Sequence, residues 1–428
     1  DCAAIKIKKK SSVSFYNHNN FYIKGNCKNT IKGASQTSLI FESSPGEYII
    51  NAYYNGISSE SLIIFKGGKY NISTEIGDGI QAKPDINDTI SFGQINIKEG
   101  TFYIRSHSDA FQARNKIEIE YGNFDIKTEE GFNSSTFDKE TGSSKGFKVT
   151  NDILKSIIII YNGNFLIDTP DDSFSSEGNL TLIDGDYIIF SGDDGINASG
   201  KVLIGDNNSS KGPHINITNS YEGIEGKEVI LYSGKIYIHA KNDGINSAIK
   251  NKKENIENNS NILIYGGNIN IIYNNNGIDS NGDIEFLGGD ISLIQGKQGN
   301  EPVEYSGIIK LSKSSLISIG NKSNINLNEI IKSNQKYADY NGYIKNNKLL
   351  IIVNDNKEVI KLIIIEEEIN YIFYISSDLN ENYLFYISDI SGDNEEKFIF
   401  NLGQLEEGNK VMIKSTIMMM IVIFSPYF

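Results

Sequence analysis

The residues of this sequence that suggest chemistry are carboxylates recurring two positions before a large apolar residue. The eight such positions are Asp78, Asp109, Glu130, Asp172, Asp194, Glu222, Asp243 and Asn276, of which only the last is not an acid. The position before them adds three further acids, Glu129, Asp171 and Asp193. Calcium takes about six to eight oxygen ligands, and carboxylates supply them. If the segments stack on one another, the spacing predicts a row of calcium ligands.

The strongest candidate within this row is a doubled acidic cluster, in which two neighbouring segments each supply an adjacent pair. Two like charges about 5 Å apart repel by about 3 kcal/mol at an effective dielectric constant of about 20. A partly buried pair therefore favours a bound cation. The alternative is turn chemistry, because a short polar side chain before glycine hydrogen-bonds to its own backbone. The metal ligands predicted from the row are Asp171, Asp172, Asp193, Asp194, Glu222 and Asp243.

Short strands must position these acids. Each acidic segment is followed by two strands with a glycine bend between them, as in residues 180–189. Apolar and polar residues alternate with period two in these strands, which indicates half-buried β-strands. The apolar anchors Ile224 and Ile245 are 21 residues apart, and so are Phe111 and Phe132. Longer intervals contain polar inserts, which form loops on a solenoid.

The repeat length selects the fold. About 21 residues hold three short strands and their bends, and the repeat shows no helical periodicity. The sequence therefore predicts an all-β protein, a right-handed parallel β-helix of about nine coils with a small C-terminal β cap. The predicted domains are an N-terminal irregular or capping segment at 1–36, the β-helix at 37–300, the last coils and the β cap at 301–404, and an apolar tail at 405–428.

Composition narrows the function. The chain has 428 residues and a formal net charge of −14. This acidity argues against nucleic acid as a partner, because phosphate binding needs a basic face, and it suits metal cations. Cys2 and Cys27 either close one disulfide or are free thiols. The apolar run at 417–424 is too short for a bilayer span of about 20 residues, so we expect no membrane partner.

The ordered motifs resemble a family of carbohydrate-binding β-helix proteins from cellulolytic clostridia and anaerobic gut microbes, itself similar to calcium-dependent pectate lyases. The matching segments are 77–82, 145–148, 192–198, 220–225, 242–246, 277–282 and 376–379. The resemblance implies calcium in the helix, on the acidic turns and on Asp279. The chain departs from the family pattern at Asn276, where the family has an acid, and at 303–307.

The resemblance also implies a function, which is non-catalytic binding of plant cell-wall polysaccharide, either acidic pectin or cellulose. A location outside the cell or on its surface follows from the same resemblance, and we expect a monomer. The predicted carbohydrate contacts are Tyr221, Lys148 and Tyr305, since an aromatic ring stacks on a sugar ring and a lysine meets acidic or hydroxyl groups. For Lys148, and for Lys145 beside it, an ion pair with the acidic row is the alternative.

Two other functions stay open from the residues. A calcium-dependent polysaccharide lyase needs calcium to acidify a proton beside a uronate carboxylate, and a lysine or arginine as base. Arg114 and Lys148 are the conceivable bases. The second alternative is a surface adhesin or structural protein. We expect no catalysis, without excluding the lyase.

Overall fold

The structure is a computed structural model of the chain. It describes residues 3–26, 28–85, 87–88, 90–209, 211–248, 260–321, 335–354, 356, 358–379, 383–389, 395–397 and 401–403. Cys2, Cys27, the polar insert at 250–259 and the tail at 405–428 lie outside these residues, so the predictions made for them stay as predictions.

The chain winds in stacked coils whose strands form three parallel faces, numbered here in chain order within a coil. Face 1 contains Ile5–Ile7, Ile31–Gly33, Ile57–Ser59, Ile80–Ala82, Phe111–Ala113, Phe147–Val149, Phe174–Ser176, Ile245–Ser247, Ile278–Ser280 and Val303–Tyr305. Face 2 contains Ser12–Phe15, Ser38–Phe41, Leu62–Phe65, Gln94–Ile97, Lys116–Ile119, Ile157–Ile160, Asn179–Leu182, Asn261–Ile264, Ile284–Phe286 and Ile309–Leu311. Ile196–Ile204 and Ile224–Leu231 run unbroken through faces 1 and 2.

The strands of face 3 are mostly six residues long. They are Phe21–Gly25, Glu47–Ala52, Lys69–Thr74, Thr101–Ser106, Asn123–Thr128, Asn164–Thr169, Asp186–Ser191, His214–Ser220, Lys235–Ala240, Asn268–Tyr273, Asp290–Gln295 and Ser315–Gly320. Alternate side chains of each strand point into the helix, so that Asn164–Thr169 buries Phe165 and Ile167 while Leu166 faces outward. Period-two alternation in the sequence thus becomes an inside and an outside.

The core consists of ladders in which like side chains stack along the helix axis. Phe147 stacks between Phe111 and Phe174, with ring centroids 4.8 and 5.1 Å away. Stacked rings of this kind add about 0.5–1.5 kcal/mol each beyond the burial of their surface. Because successive coils keep the same register, each stacked pair also favours this register over pairings shifted by one residue.

Glycine makes the bend between faces 2 and 3 sharp. Gly185 and Gly234 have φ angles of 115° and 120°, a region that side chains with a Cβ atom resist. A Cβ atom on Gly185 would lie 2.7 Å from the carbonyl oxygen of Gly163 in the neighbouring coil. The glycines therefore allow both the turn and the close stacking of successive turns.

The predicted fold class is confirmed, because the described residues are all-β and their parallel ladders form a β-helix. In the described chain, twelve strands stack on each face. The ladders begin at Ile5, which pairs with Ile31. Residues 5–25, predicted as irregular or capping, thus form a first coil of the β-helix.

One predicted repeat is wrong. The segment ending in Phe132 forms no rung, although its spacing from Phe111 is right. Instead, Phe147 pairs with Phe111 on face 1, and residues 129–146 form a loop in which Phe132 packs against Phe190 at 5.6 Å. The ring of Phe147 thus takes the place in the core stack between Phe111 and Phe174.

The C-terminal residues close the end of the β-helix with antiparallel strands. Ser315–Gly320 pairs with Ile369–Ser376, which in turn pairs with Lys336–Ile344. The other strands of this cap are Lys348–Val353, Val359–Ile365, Leu384–Asp389, Glu395–Lys397 and Asn401–Gly403. Antiparallel pairing covers the open edge that a parallel ladder would otherwise expose. In the part of the chain that is described, no helix is long and apolar enough to cross a membrane.

Candidate functional site

The acidic row lies at the corner where face 3 turns into face 1, two residues before each face 1 anchor. In coil order the row consists of Asn55, Asp78, Asp109, Lys145, Asp172, Asp194, Glu222, Asp243, Asn276 and Glu301. Lys145 takes the place predicted for Glu130, which is exposed in the loop before it. The row thus continues through all these coils, but at one coil the ammonium group of Lys145 stands in place of a side-chain oxygen.

The side-chain oxygens of the row bind the backbone of the next coil. The N–H of Asp109 donates to Asp78 Oδ1 at 3.1 Å, and the N–H of Asp194 donates to Asp172 Oδ1 at 3.2 Å. An amide does the same at Asn55, whose Oδ1 accepts from the N–H of Asp78 at 2.8 Å. At these rungs a side-chain oxygen satisfies the buried N–H group of the next coil, and an amide does so as well as a carboxylate, so no charge is required there.

One part of the row carries its own cations, and we call it the lysine-paired cluster. Carboxylate oxygens of Asp171, Asp172 and Asp193 lie within 4.8 Å of one another. The Lys145 ammonium is 2.6 Å from Asp171 Oδ1 and 2.6 Å from Asp172 Oδ2. Lys139, from the loop that contains Phe132, pairs with Asp193. The two ammonium groups offset two of the three negative charges.

The protonation of this cluster reflects its lysines. Burial opposes the ionisation of Asp172, yet the charge and hydrogen bonds of Lys145 outweigh burial and lower the pKa of that carboxyl. Burial disfavours the charged form of Lys145 as well, and attraction to the two carboxylates still raises the pKa of its ammonium. Asp172 and Lys145 are therefore ionised and paired at neutral pH, whereas burial and repulsion from Asp172 raise the pKa of Asp193 despite its pairing with Lys139.

A second group, here the carboxylate cluster, lies in the next two coils. Asp194, Glu222 and Glu225 are buried, and their oxygens lie within 4.8 Å of one another. Asp194 accepts from the Asn197 amide at 2.6 Å, and Glu222 accepts from the Asn246 amide at 3.0 Å. These partners are neutral. The carboxylate cluster thus has the oxygens of the lysine-paired cluster, but among the residues that the structure describes no ammonium group pairs with Asp194 or Glu222.

The pKa values of the carboxylate cluster move in the opposite direction to that of Asp172. Desolvation raises the pKa of Asp194 well above its ordinary value, and repulsion from neighbouring carboxylates adds to the shift. Desolvation, followed by repulsion from Glu225, raises the pKa of Glu222 to about 7. A group of carboxylates with raised pKa values holds either protons or a cation at neutral pH. Its donor set of hard oxygens matches calcium.

A third acidic group continues the row toward the cap. Asp243 Oδ1 accepts from the N–H of Asn276 at 2.8 Å and from the Asn275 amide at 2.9 Å. Desolvation and then repulsion from Asp243 and Glu304 raise the pKa of Asp279 to about 6. Glu304 is exposed on its coil, so this group is more open to solvent than the carboxylate cluster.

Comparison with known proteins identifies the ligand class. The family described as "carbohydrate-binding domain-containing protein" matches residues 9–195 and 201–349. The chain belongs to this carbohydrate-binding family. No curated protein and no solved structure matches the chain significantly. Family membership makes carbohydrate the ligand of the β-helix, and polysaccharide its partner.

The predicted sugar contacts of this carbohydrate-binding protein differ in their access to solvent. Tyr221 directly precedes Glu222 of the carboxylate cluster and is 49% exposed. Lys148 lies 3.0 Å from Asp109 Oδ2, and its side chain is 19% exposed. Tyr305 packs against the core as a half-buried residue. The structure thus brings Tyr221 alone, of these three, to an open surface beside the acidic row.

The two bases considered for a lyase are engaged elsewhere. Arg114 donates to the carbonyl oxygens of Asp85 and Asp88, each at 3.4 Å. Lys148 is bound by Asp109 and also donates to the Ser143 hydroxyl at 2.7 Å. The ion-pair interpretation therefore describes Lys148, as it describes Lys145.

Glu225 is the ligand candidate that sequence reasoning missed. It follows the anchor Ile224 and is 9% exposed. The signal for it lies three residues after each member of the row, at the first position after the apolar anchor. At that position in the preceding coil, the Asn197 amide donates to Asp194. At the same spacing in the neighbouring coil, Glu222 is followed by Glu225, so two acids stand where the other coil has an acid and an amide.

Proposed function

We propose that this protein binds acidic plant cell-wall polysaccharide without cleaving it, through calcium held by the carboxylate cluster. The single observation that carries the proposal is the burial of Asp194, Glu222 and Glu225 together, with no ammonium group of the described residues paired with Asp194 or Glu222. A cation relieves the repulsion that raises the pKa of Glu222. Calcium bound there leaves coordination positions that a carboxylate of the glycan fills.

The donor set fits calcium in number and kind. Three carboxylates supply up to about six oxygens when they bind bidentately, which approaches the coordination number of calcium. The amides of Asn197 and Asn246 face the cluster, and an amide offers either its N–H2 group or its carbonyl oxygen. A rotated amide could therefore supply a ligand in place of the second oxygen of a carboxylate, so that positions remain for the glycan.

Charge explains why calcium would be needed for an acidic glycan. The protein has a formal net charge of −14, so a polyuronate is repelled at long range. A divalent cation at the corner of the helix supplies local attraction, and the exposed ring of Tyr221 lies beside it in sequence for contact with a sugar ring. Because plant cell-wall polysaccharide lies outside cells, the proposal includes secretion or surface display.

The test is retention on polygalacturonate with calcium or with a chelator, while ultraviolet absorbance of unsaturated product is recorded in the same tube. We expect retention with calcium and none with the chelator, without growth of absorbance. The double variant Glu222→Gln, Glu225→Gln should abolish retention. Glu120→Gln is the matched control, because its side chain is 59% exposed and lies away from the row.

Other results would replace this proposal. Growing absorbance would show a calcium-dependent lyase. Retention that survives in the double variant would place the glycan elsewhere on the surface. No retention under either condition on polygalacturonate or cellulose would favour an adhesin or structural role.

A further inference from the structure

The outer side of face 3 carries an exposed row of large side chains along the helix axis. The strands pair so that Tyr103, Asp125, Leu166, Ile188, Asn216 and Tyr237 follow one another, one per coil. We call this set the axial row. Its four large apolar or aromatic members are 37–45% exposed. Side chains of this size on the outside of a solenoid strand signal a surface that meets a partner.

A shallow cavity of about 300 Å³ lies over the axial row. Beneath it are Tyr103, Leu166 and Ile188, and along its side run polar residues of the same strands. Among these, the Asn164 amide donates to Asn123 Oδ1 at 2.8 Å, and both amides are exposed. An apolar floor beside a row of amides matches a sugar ring, which has an apolar C–H face and hydroxyls at its rim.

The charges along the cavity disfavour an acidic glycan. Asp186 is exposed, with a side chain at 69%, and its partner is the imidazole of His214 at 3.5 Å. Asp125 pairs with Arg105 at 2.7 Å, which neutralises that guanidinium. A uronate in the cavity would therefore meet carboxylates, while the exposed Lys235 lies beyond the cavity, next to His214 on the neighbouring coil. This is the reverse of the calcium site proposed at the corner of faces 3 and 1.

We propose that the axial row is a second saccharide site, which binds a linear, uncharged β-linked glycan lying parallel to the helix axis. The inference rests on the proposed function only in taking glycan as the ligand class, and it uses another face of the molecule and no metal. Coils repeat about every 4.8 Å, a distance close to the length of one pyranose residue in an extended chain. Each coil therefore meets one sugar.

The cap ends this site on one side. Beyond Tyr237, the cap strand Val359–Ile365 covers face 3, since the Lys361 ammonium lies 2.6 Å from Asp290 Oδ1 and donates to the Ser292 hydroxyl at 2.9 Å. In the other direction the ladder continues past Tyr103 to Asn71, Ile49 and Tyr22. We expect affinity to rise with chain length across the six coils of the axial row.

The experiment is calorimetric titration with β-1,4-linked gluco-oligosaccharides of two to eight residues, in chelator so that the calcium site cannot contribute. Tyr103→Ala and Leu166→Asn should each weaken binding roughly tenfold, because each removes an apolar contact from the floor of the cavity. Both side chains face outward, so the core is untouched. Tyr161→Ala is the matched control, because Tyr161 is similarly exposed at 42% and lies off the row. It should bind as the wild type does.

The outcome separates this site from the first one. The variant Glu222→Gln, Glu225→Gln should keep its affinity for neutral oligosaccharides in chelator while losing calcium-dependent polygalacturonate. No binding of neutral oligosaccharides in chelator, or equal binding by Tyr103→Ala and Leu166→Asn, would overturn the axial site and leave the calcium site standing. Tighter binding of oligogalacturonates than of neutral chains by the axial row would also contradict it.

Discussion

The lysine-paired cluster and the carboxylate cluster occupy successive coils of the same helix corner, and they balance their charge in different ways. The first has Lys145 between Asp171 and Asp172. The second has the amides of Asn197 and Asn246. The comparison shows that an acidic rung does not by itself indicate a metal site. What lies on the adjacent rung determines whether the acid is already paired.

The loop before Phe147 produces this difference. It delivers Lys139 to Asp193, and it ends by placing Lys145 on the row itself. The loop therefore supplies the ammonium groups that pair with the acids of this cluster.

The largest expected effect follows from removing that internal cation. Lys145→Ala leaves Asp171 and Asp172 buried without their partner, which costs about 3–5 kcal/mol of unfolding free energy in chelator. Added calcium should restore part of the loss, because the variant turns the lysine-paired cluster into an open site. Urea denaturation with and without calcium measures both. Lys116→Ala, which breaks a partly exposed pair with Glu118, should cost less than about 1 kcal/mol, and an equal loss in the two variants would contradict the comparison.

The next effect has the opposite sign. Glu222→Gln removes a carboxylate whose pKa is raised to about 7, so in chelator at pH 8 the variant should be more stable than the wild type by about 2 kcal/mol. Calcium should then stabilise the wild type and not the variant. Thermal unfolding with calcium and with chelator gives the two differences. A variant that is less stable in chelator would show that the carboxylate is already paired.

The pH dependence sharpens the same contrast. The folded-state pKa values of Asp194 and Glu222 are raised above those of the unfolded chain, so the folded state keeps protons that the unfolded state has released. Stability in chelator should therefore fall as pH rises from about 5 through about 7. Glu222→Gln should flatten this fall, and calcium should suppress it. Melting temperatures across this range test the sign, and a rise toward pH 7.5 in chelator would refute it.

The smallest effect concerns the exposed ring beside the carboxylate cluster. Tyr221→Ala should weaken calcium-dependent retention on polygalacturonate by about threefold to tenfold, since one stacked ring contributes about 1 kcal/mol. Tyr221→Phe keeps the ring and should behave as the wild type. If both variants bind alike, the ring makes no contact with the glycan.

The fold was predictable because its signals are local. Alternating strands, glycine bends such as Gly185, and apolar anchors such as Ile224 each dictate a conformation within one coil, and stacking repeats that conformation. The insertion was not predictable from spacing, because Phe132 stands at the same distance from Phe111 as a true rung. Which of Phe132 and Phe147 forms the rung depends on contacts with residues distant in the sequence, such as the stacking of Phe147 between Phe111 and Phe174.

The site was predictable only in part. The row of acids follows from the repeat, but the sequence grouped Asp193 and Asp194 in one cluster, whereas the structure divides them between two. Adjacent residues at a corner point to different neighbours, and their partners come from other coils. Glu225 was missed although it stands only three residues from Glu222 in the same coil. The approach of the two side chains depends on how the strand leaves the corner.

Calorimetric titration of the wild type and of Glu222→Gln, Glu225→Gln with calcium tests the central claim most directly. The account predicts a calcium-binding event in the wild type that the double variant lacks, with proton release on binding at pH 6, where Glu222 is protonated before the ion enters. Equal calcium binding by the two proteins would contradict it, because the ion would then occupy some other part of the row.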